Sequence, residues 1–134
     1  MKNSILTATL IILSTAFSLS CAQSPAYKAS LSPIEFSDKI KAVPTAPVID
    51  VRTPAEFAEG HLLNAVNYDW NGDSFEQQVA ALDKSKPVLV YCRSGSRSAA
   101  AAAYMRTAGF KEVYEMDGGF VSWRNANLPE SNTR

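Results

Sequence analysis

The sequence predicts an α/β domain built on a mostly parallel central sheet with helices on both faces. Short apolar segments alternate along the chain with helix-start signatures, an order typical of parallel strands joined by helices. Residues 87–91 form a continuous apolar run, as expected for a strand covered on both faces. Active sites in such sheets lie beyond the carboxyl ends of the strands, so a residue that follows a strand is a site candidate.

Helix-start signatures define the first two helices. Residues 32–35 and 53–56 are capping boxes, each with a proline at the first helical position and a glutamate two residues later. The first helix should run to about Lys41, and Gly60 can close the second in the left-handed conformation.

Three further helices are expected. Ser74 begins a helix that ends at residues 84–86, and residues 98–108 form an alanine-rich helix ended by Gly109. A turn at residues 117–119 leads into a short last helix that bears Trp123. Between the helices the chain predicts four strands, at residues 47–51, 65–67, 87–91 and 113–116.

Composition restricts the class of protein. The chain has 134 residues, enough for one domain, and with 46% hydrophobic and 19% charged residues it is typical of a globular protein. Thirteen basic and thirteen acidic residues give a formal net charge of zero, which argues against a nucleic-acid partner.

Residues 1–21 have the layout of a secretory signal peptide. Lys2 is followed by an apolar run from Ile5 to Phe17, which is shorter than the ~20 residues of a membrane span. A buried N-terminal helix is the competing interpretation.

Cys21 stands where a bacterial lipoprotein carries its lipidated cysteine, although Ser18 departs from the usual aliphatic residue, and ordinary cleavage after Ala22 is the alternative. We therefore expect export to the bacterial periplasm or cell envelope, with Cys21 as a candidate lipid anchor.

Residues 22–30 are polar and aperiodic, and predict a linker before a domain at residues 31–130. Outside the leader the chain has one cysteine, Cys92, directly after the strand at residues 87–91. An unpaired cysteine in an exported protein is a candidate reactive thiol, and a buried inert thiol is the alternative.

The segment after this strand is suited to hold an anion. Its small residues allow successive N–H groups to point inward, and a helix begins immediately after it. Both features, with two arginines, favour the Cys92 thiolate and lower its pKa from about 8.5. The expected substrate-binding residues are Arg93, Ser94, Gly95, Ser96, Arg97 and Ser98.

The segment resembles the active loop of the rhodanese family, which reads Cys, four residues, Arg, then Ser or Thr. Residues 50–67 carry matches to the first family motif, and residues 117–120 with Trp123 match the closing motif. The resemblance covers about residues 30–128, and identifies a single-domain, thiosulfate sulfurtransferase-like rhodanese.

The resemblance implies sulfur transfer through a persulfide on Cys92. The donor would be thiosulfate or a similar anion, and the acceptor a thiol or a cyanide-like nucleophile, with no cofactor. The related cell-cycle phosphatases have one more residue in the loop than the six from Cys92 through Arg97. A phosphatase or arsenate-reducing enzyme is therefore disfavoured, whereas a sulfur carrier that relays persulfide between partner proteins remains the alternative.

Three residues outside the loop are expected to support it. Asp50 and Arg52 should organise a strand end rather than act on substrate. His61 is the only histidine, which gives little support to a metal site, and a turn-stabilising hydrogen bond is its expected role.

Arg97 contacts the anion or holds the loop through a carboxylate, for which Asp50 is the candidate. Arg93 faces either the substrate or the solvent.

Overall fold

The computed structural model describes residues 27–131, which form five helices and seven strands. The predicted signal peptide, Cys21 and most of the predicted linker lie outside these residues. The strands are β1 (Ser30–Leu31), β2 (Val48–Asp50), β3 (His61–Leu62), β4 (Val66–Asn67), β5 (Val88–Tyr91), β6 (Val113–Met116) and β7 (Glu130–Ser131). The helices are α1 (Pro33–Ala42), α2 (Pro54–Ala58), α3 (Phe75–Ala80), α4 (Ser96–Thr107) and α5 (Gly119–Asn125).

Five strands form a parallel sheet in the order β1-β6-β5-β2-β4, and β3 pairs with β7 in a small antiparallel sheet. The mostly parallel sheet is therefore confirmed. Among residues 27–131 no helix is long and apolar enough to cross a membrane.

Two hydrophobic cores cover the two faces of the sheet. Successive residues of β5 alternate between them, because neighbouring side chains of a strand point to opposite faces. Val88 and Val90 pack with α3 and α4, whereas Leu89 and Tyr91 pack with α1 and α5. Trp123 of α5 belongs to the second core, as predicted, and its indole N–H donates to Pro129 O at 3.0 Å.

Both predicted capping boxes are present and begin α1 and α2. Two helix boundaries were predicted incorrectly. Helix α3 ends at Ala80, where Leu82 N donates to Val79 O (3.1 Å) in a tight turn, and a second turn follows in which Asp83 accepts from the N–H of Ser85 (3.0 Å). Helix α4 begins at Ser96 rather than at residue 98, since Gly95 is its N-cap.

Tyr27 and Ser30, which lie within the predicted linker at residues 22–30, contact β6. The Tyr27 hydroxyl donates to Val113 O (3.3 Å) and accepts from Val113 N (2.7 Å), and its ring packs on Tyr114 at 5.0 Å. Ser30 then pairs with Glu115 in β1. The two-residue strands β1, β3 and β7 were missed because they are too short to carry a periodic pattern.

Candidate active site

Cys92 follows β5 at the carboxyl edge of the parallel sheet, where the sequence analysis places it. The loop from Cys92 to Gly95 connects β5 directly to α4. Cys92 is 1% exposed, whereas Arg93, Ser94 and Ser96 are exposed around it. The thiol therefore lies at the floor of the loop, with the side chains of these three residues at its rim.

The loop carbonyls are held away from the thiol by the start of α5. Phe120 N donates to Cys92 O at 2.8 Å, and Val121 N donates to Arg93 O at 3.0 Å. Because a trans peptide places its C=O and its N–H on opposite sides, these bonds turn the following N–H groups toward the inside of the loop.

Gly119 allows this close approach. A Cβ on Gly119 would lie 2.5 Å from Cys92 O and 2.6 Å from both C and O of Arg93, and its φ is +60°. Gly118 precedes it with φ +68°, and a Cβ on Gly118 would meet the Ser122 side chain of α5 rather than the cysteine loop.

The Cys92 Sγ atom receives several donors. Gly95 N lies 3.1 Å from Sγ, and the Ser98 hydroxyl, 3.4 Å from Sγ, also lies 3.1 Å from Gly95 O. Burial raises the pKa of the thiol, but hydrogen bonds from the side chain and N–H of Ser98 and the N–H groups of Gly95 and Ser94 lower it by more. The pKa of Cys92 is therefore below its ordinary value, through hydrogen bonds rather than mainly through the arginine charges.

Arg97 pairs with Glu56 and not with Asp50, which corrects the predicted partner. Its Nη1 and Nη2 atoms donate to the two carboxylate oxygens of Glu56, each at 2.8 Å. Glu56 also accepts from the N–H and hydroxyl of Thr53 at 3.0 and 3.1 Å. Glu56 was missed as a site residue, although its capping-box position fixes its carboxylate at the start of α2.

Asp50 and Arg52 form a buried ion pair beneath the site. Arg52 donates to the carboxylate of Asp50 through Nε (3.0 Å) and Nη2 (2.6 Å), and its Nη2 also donates to Gly60 O (2.7 Å). The guanidinium carbon lies 4.3 Å from the centre of the Phe120 ring. Both residues organise the strand end, and neither contacts the thiol.

His61 lies in β3, apart from the cysteine loop. Its Nδ1 is 3.0 Å from Phe57 O, and its ring stacks on Phe57 at 3.8 Å. This is the turn-stabilising contact expected from the sequence. Across residues 27–131 no group of three or more His, Cys, Asp or Glu side chains is placed to hold a metal ion.

A cleft of about 390 Å³ opens beside the loop, and Arg93 lies at its edge. Arg52 and Arg93 were identified from the sequence, whereas the walls of the cleft formed by α2, the residue after α2, and α5 were missed. The lining residues are Arg52, Glu56, Glu59, Arg93, Phe120, Val121 and Arg124.

Known proteins share the sequence pattern and the fold of this protein. Residues 32–126 match the rhodanese-like domain family. A Vibrio cholerae protein described as thiosulfate sulfurtransferase GlpE is 42% identical over 84 residues, covering 63% of this chain and 77% of the relative. The protein of that description from Stutzerimonas stutzeri is 41% identical over 80 residues, covering 60% of this chain and 72% of the relative.

Solved structures agree with these sequence matches. A rhodanese-related protein from Thermoplasma volcanium superposes with a TM-score of 0.69 at 28% identity, covering 78% of this chain and 99% of that protein. A rhodanese-like domain protein from Staphylococcus aureus gives a TM-score of 0.63 at 25% identity, covering 72% of this chain and 91% of that protein. With the family match extending over most of the chain and the thiol loop in place, this protein belongs to the rhodanese family.

Proposed function

We propose that this protein is a sulfurtransferase that moves the outer sulfur of thiosulfate, or of a similar anionic donor, to a nucleophilic acceptor through a persulfide on Cys92. The observation that carries this proposal is the thiol itself, held at the floor of the loop between β5 and α4, where N–H donors of the loop and the Ser98 hydroxyl of α4 point at Sγ. The relatives described as thiosulfate sulfurtransferases support the choice of donor.

In the first half-reaction the Cys92 thiolate attacks the outer sulfur of thiosulfate. The sulfur–sulfur bond of the donor breaks, its electron pair leaves with sulfite, and Cys92 becomes a persulfide anion. The lowered pKa of Cys92 increases the fraction of the thiol that is present as the attacking thiolate at a given pH. Arg93, exposed beside the thiol, supplies a positive charge for the sulfonate of the donor.

In the second half-reaction an external nucleophile attacks the outer sulfur of the persulfide. The bond between the two sulfurs breaks, and the Cys92 thiolate is regenerated. Cys92 is the sole cysteine in residues 27–131, so within this part of the chain no second thiol can resolve the persulfide. The inward N–H groups that stabilise the thiolate also stabilise the persulfide anion until an acceptor arrives.

Mass spectrometry tests the intermediate. Protein treated with excess thiosulfate and then desalted should gain the mass of one sulfur, and should lose it on addition of cyanide or a thiol. The gain should persist in Cys21→Ser and be absent in Cys92→Ser. A protein that never carries the extra sulfur with any donor contradicts the proposal.

Steady-state turnover separates the enzyme from the sulfur carrier. An enzyme should turn over with thiosulfate and a small acceptor alone, whereas a carrier should form the persulfide but discharge it slowly without its partner protein. Aryl phosphates should not be hydrolysed, because the loop is one residue shorter than the phosphatase form. Phosphatase turnover comparable to sulfur transfer contradicts the assignment.

We further propose that the protein is exported to the bacterial cell envelope, with a lipid on Cys21. The apolar run before the small residues at positions 18–22 supports export, and the position of Cys21 supports lipidation. The intact mass of protein from its native host should correspond to a chain that begins at lipidated Cys21. A chain that begins near Gln23 without lipid contradicts the anchor, and a retained Met1 contradicts export as well.

A further inference from the structure

We propose that the cleft lined by Arg93, the residue that follows Cys92, is the acceptor site, and that it selects a small thiol bearing both a carboxylate and an ammonium group, with Glu59 binding the ammonium. This inference rests on the proposed function, since an acceptor is needed only if Cys92 carries a persulfide.

Most of the charges that line the cleft are already paired. Arg52 is bound to Asp50 at 2.6 Å, and Glu56 is bound to Arg97 at 2.8 Å. Arg124 donates to Glu130 from Nε at 2.8 Å and stacks on Phe120. Within each pair the two opposite charges largely cancel, so these residues contribute little to the selection of a charged molecule.

Two lining charges are left, and they have opposite signs. Within residues 27–131 neither the Arg93 guanidinium nor the Glu59 carboxylate has an ion-pair or side-chain hydrogen-bond partner, and both side chains are exposed. The charge of Glu59 does act on Arg124, whose pKa is raised first by its hydrogen bond to Glu130 and also by the charge of Glu59, but the two side chains form no ion pair. Arg93 follows Cys92 directly, and Glu59 caps the end of α2 on another wall. A cleft with one unpaired cation and one unpaired anion is complementary to a molecule that carries both charges.

The remaining surface of the cleft is apolar. Val121 is 45% exposed and stands next to the buried Phe120 at the start of α5. The volume of about 390 Å³ is within the range of small-molecule sites, and leaves room for an amino-acid thiol or a short peptide thiol. Such a molecule would place its aliphatic part on Val121 and its charged groups on Arg93 and Glu59.

Arg93 can serve both half-reactions in turn. After sulfite leaves, its guanidinium is free to bind the carboxylate of the acceptor. The acceptor thiolate then attacks the outer sulfur, the Cys92 sulfur–sulfur bond breaks, and the products are a persulfide of the acceptor and the Cys92 thiolate. No oxidant or reductant is consumed, because a single sulfur atom moves between two thiolates.

Single-turnover discharge isolates this step. Protein loaded with thiosulfate and desalted is mixed with L-cysteine, cysteamine, 3-mercaptopropionate or 2-mercaptoethanol, and the loss of the persulfide is followed for wild type and Glu59→Gln. For each acceptor we take the ratio of the discharge rates of wild type and Glu59→Gln, so that the intrinsic reactivity of that thiol does not affect the comparison. Glu59→Gln should slow discharge by L-cysteine and cysteamine about fivefold, the effect of one partly exposed ion pair. Discharge by 2-mercaptoethanol should be unchanged, and discharge by 3-mercaptopropionate should be no slower.

Glu76→Gln is the matched control, because Glu76 is an exposed glutamate on α3 that does not line the cleft. It should leave all four rates unchanged. Equal effects of Glu59→Gln on all four thiols, or no effect on the two amines, would overturn the inference. Failure of the wild-type protein to form any persulfide would instead overturn the proposed function, so the two failures are distinguishable.

Discussion

Arg97 and Glu56 join the first turn of α4 to the first turn of α2 through two parallel hydrogen bonds of 2.8 Å. The pair fixes the end of the cysteine loop against a helix that is distant in sequence. The side chains are 25% and 27% exposed, so the pair is shielded more than a typical surface ion pair.

Glu56→Gln should lower the free energy of unfolding by about 2 kcal/mol near neutral pH. The hydrogen bond from Arg97 lowers the pKa of Glu56. Burial raises this pKa, and hydrogen bonds from Thr53 lower it further, so that the pKa of Glu56 is about 2. A carboxylate with a lowered pKa stabilises the fold above its unfolded pKa, about 4.3, and this stability is lost as the pH falls toward 2. Urea unfolding over this pH window should show the difference between wild type and variant shrinking. A difference that stays constant would contradict the expectation.

Asp50→Asn should destabilise the protein by about 3–5 kcal/mol, because Arg52 would keep a buried charge without its carboxylate. Asp50 is 0% exposed and Arg52 is 4% exposed. Asp38→Asn is the control, since the ion pair of Asp38 with Lys41 lies at the surface and should matter little. Denaturant unfolding measures the free energy of unfolding of both variants. Similar decreases in Asp50→Asn and Asp38→Asn would contradict the importance of burial.

Ser98→Ala should raise the pKa of Cys92, because it removes the hydroxyl that donates to Sγ. The rate of persulfide formation falls as the pH drops through the pKa of Cys92, and this fall is the acid limb of the pH–rate profile. In the variant the acid limb should move to higher pH. At alkaline pH the rates of variant and wild type should converge. Ser94→Ala keeps the backbone N–H that faces the sulfur and should leave the limb in place. Stopped-flow rates with thiosulfate test this, and identical limbs in wild type and Ser98→Ala would contradict it.

Gly119→Ala should abolish most sulfur transfer, since its Cβ would lie 2.5 Å from Cys92 O and push the loop away from α5. Gly109→Ala is the matched control, because Gly109 also has a positive φ, +101°, but its Cβ would meet only the Lys84 side chain at 3.8 Å. The control should lose stability without losing turnover by the remaining folded protein. Sulfur-transfer activity is measured for both variants and divided by the fraction of protein that is folded. Equal losses of this normalised activity in Gly119→Ala and Gly109→Ala would contradict the role of Gly119.

The sequence determined the local features. The capping boxes at Ser32 and Thr53 began the two helices they predict, because a cap needs only residues within one turn. The apolar run of β5 fixed a central strand and placed Cys92 at its carboxyl end. The family resemblance then supplied the chemistry expected of that thiol.

The tertiary structure decided the partners. Arg97 pairs with Glu56 rather than with Asp50, because Arg52, two residues from Asp50, already donates to both carboxylate oxygens of Asp50. The strand β1 exists only by pairing with β6, and the cleft exists only where α2 and α5 meet the cysteine loop. Such contacts join residues far apart in the chain, and no local propensity or spacing specifies which distant group will lie opposite a given side chain.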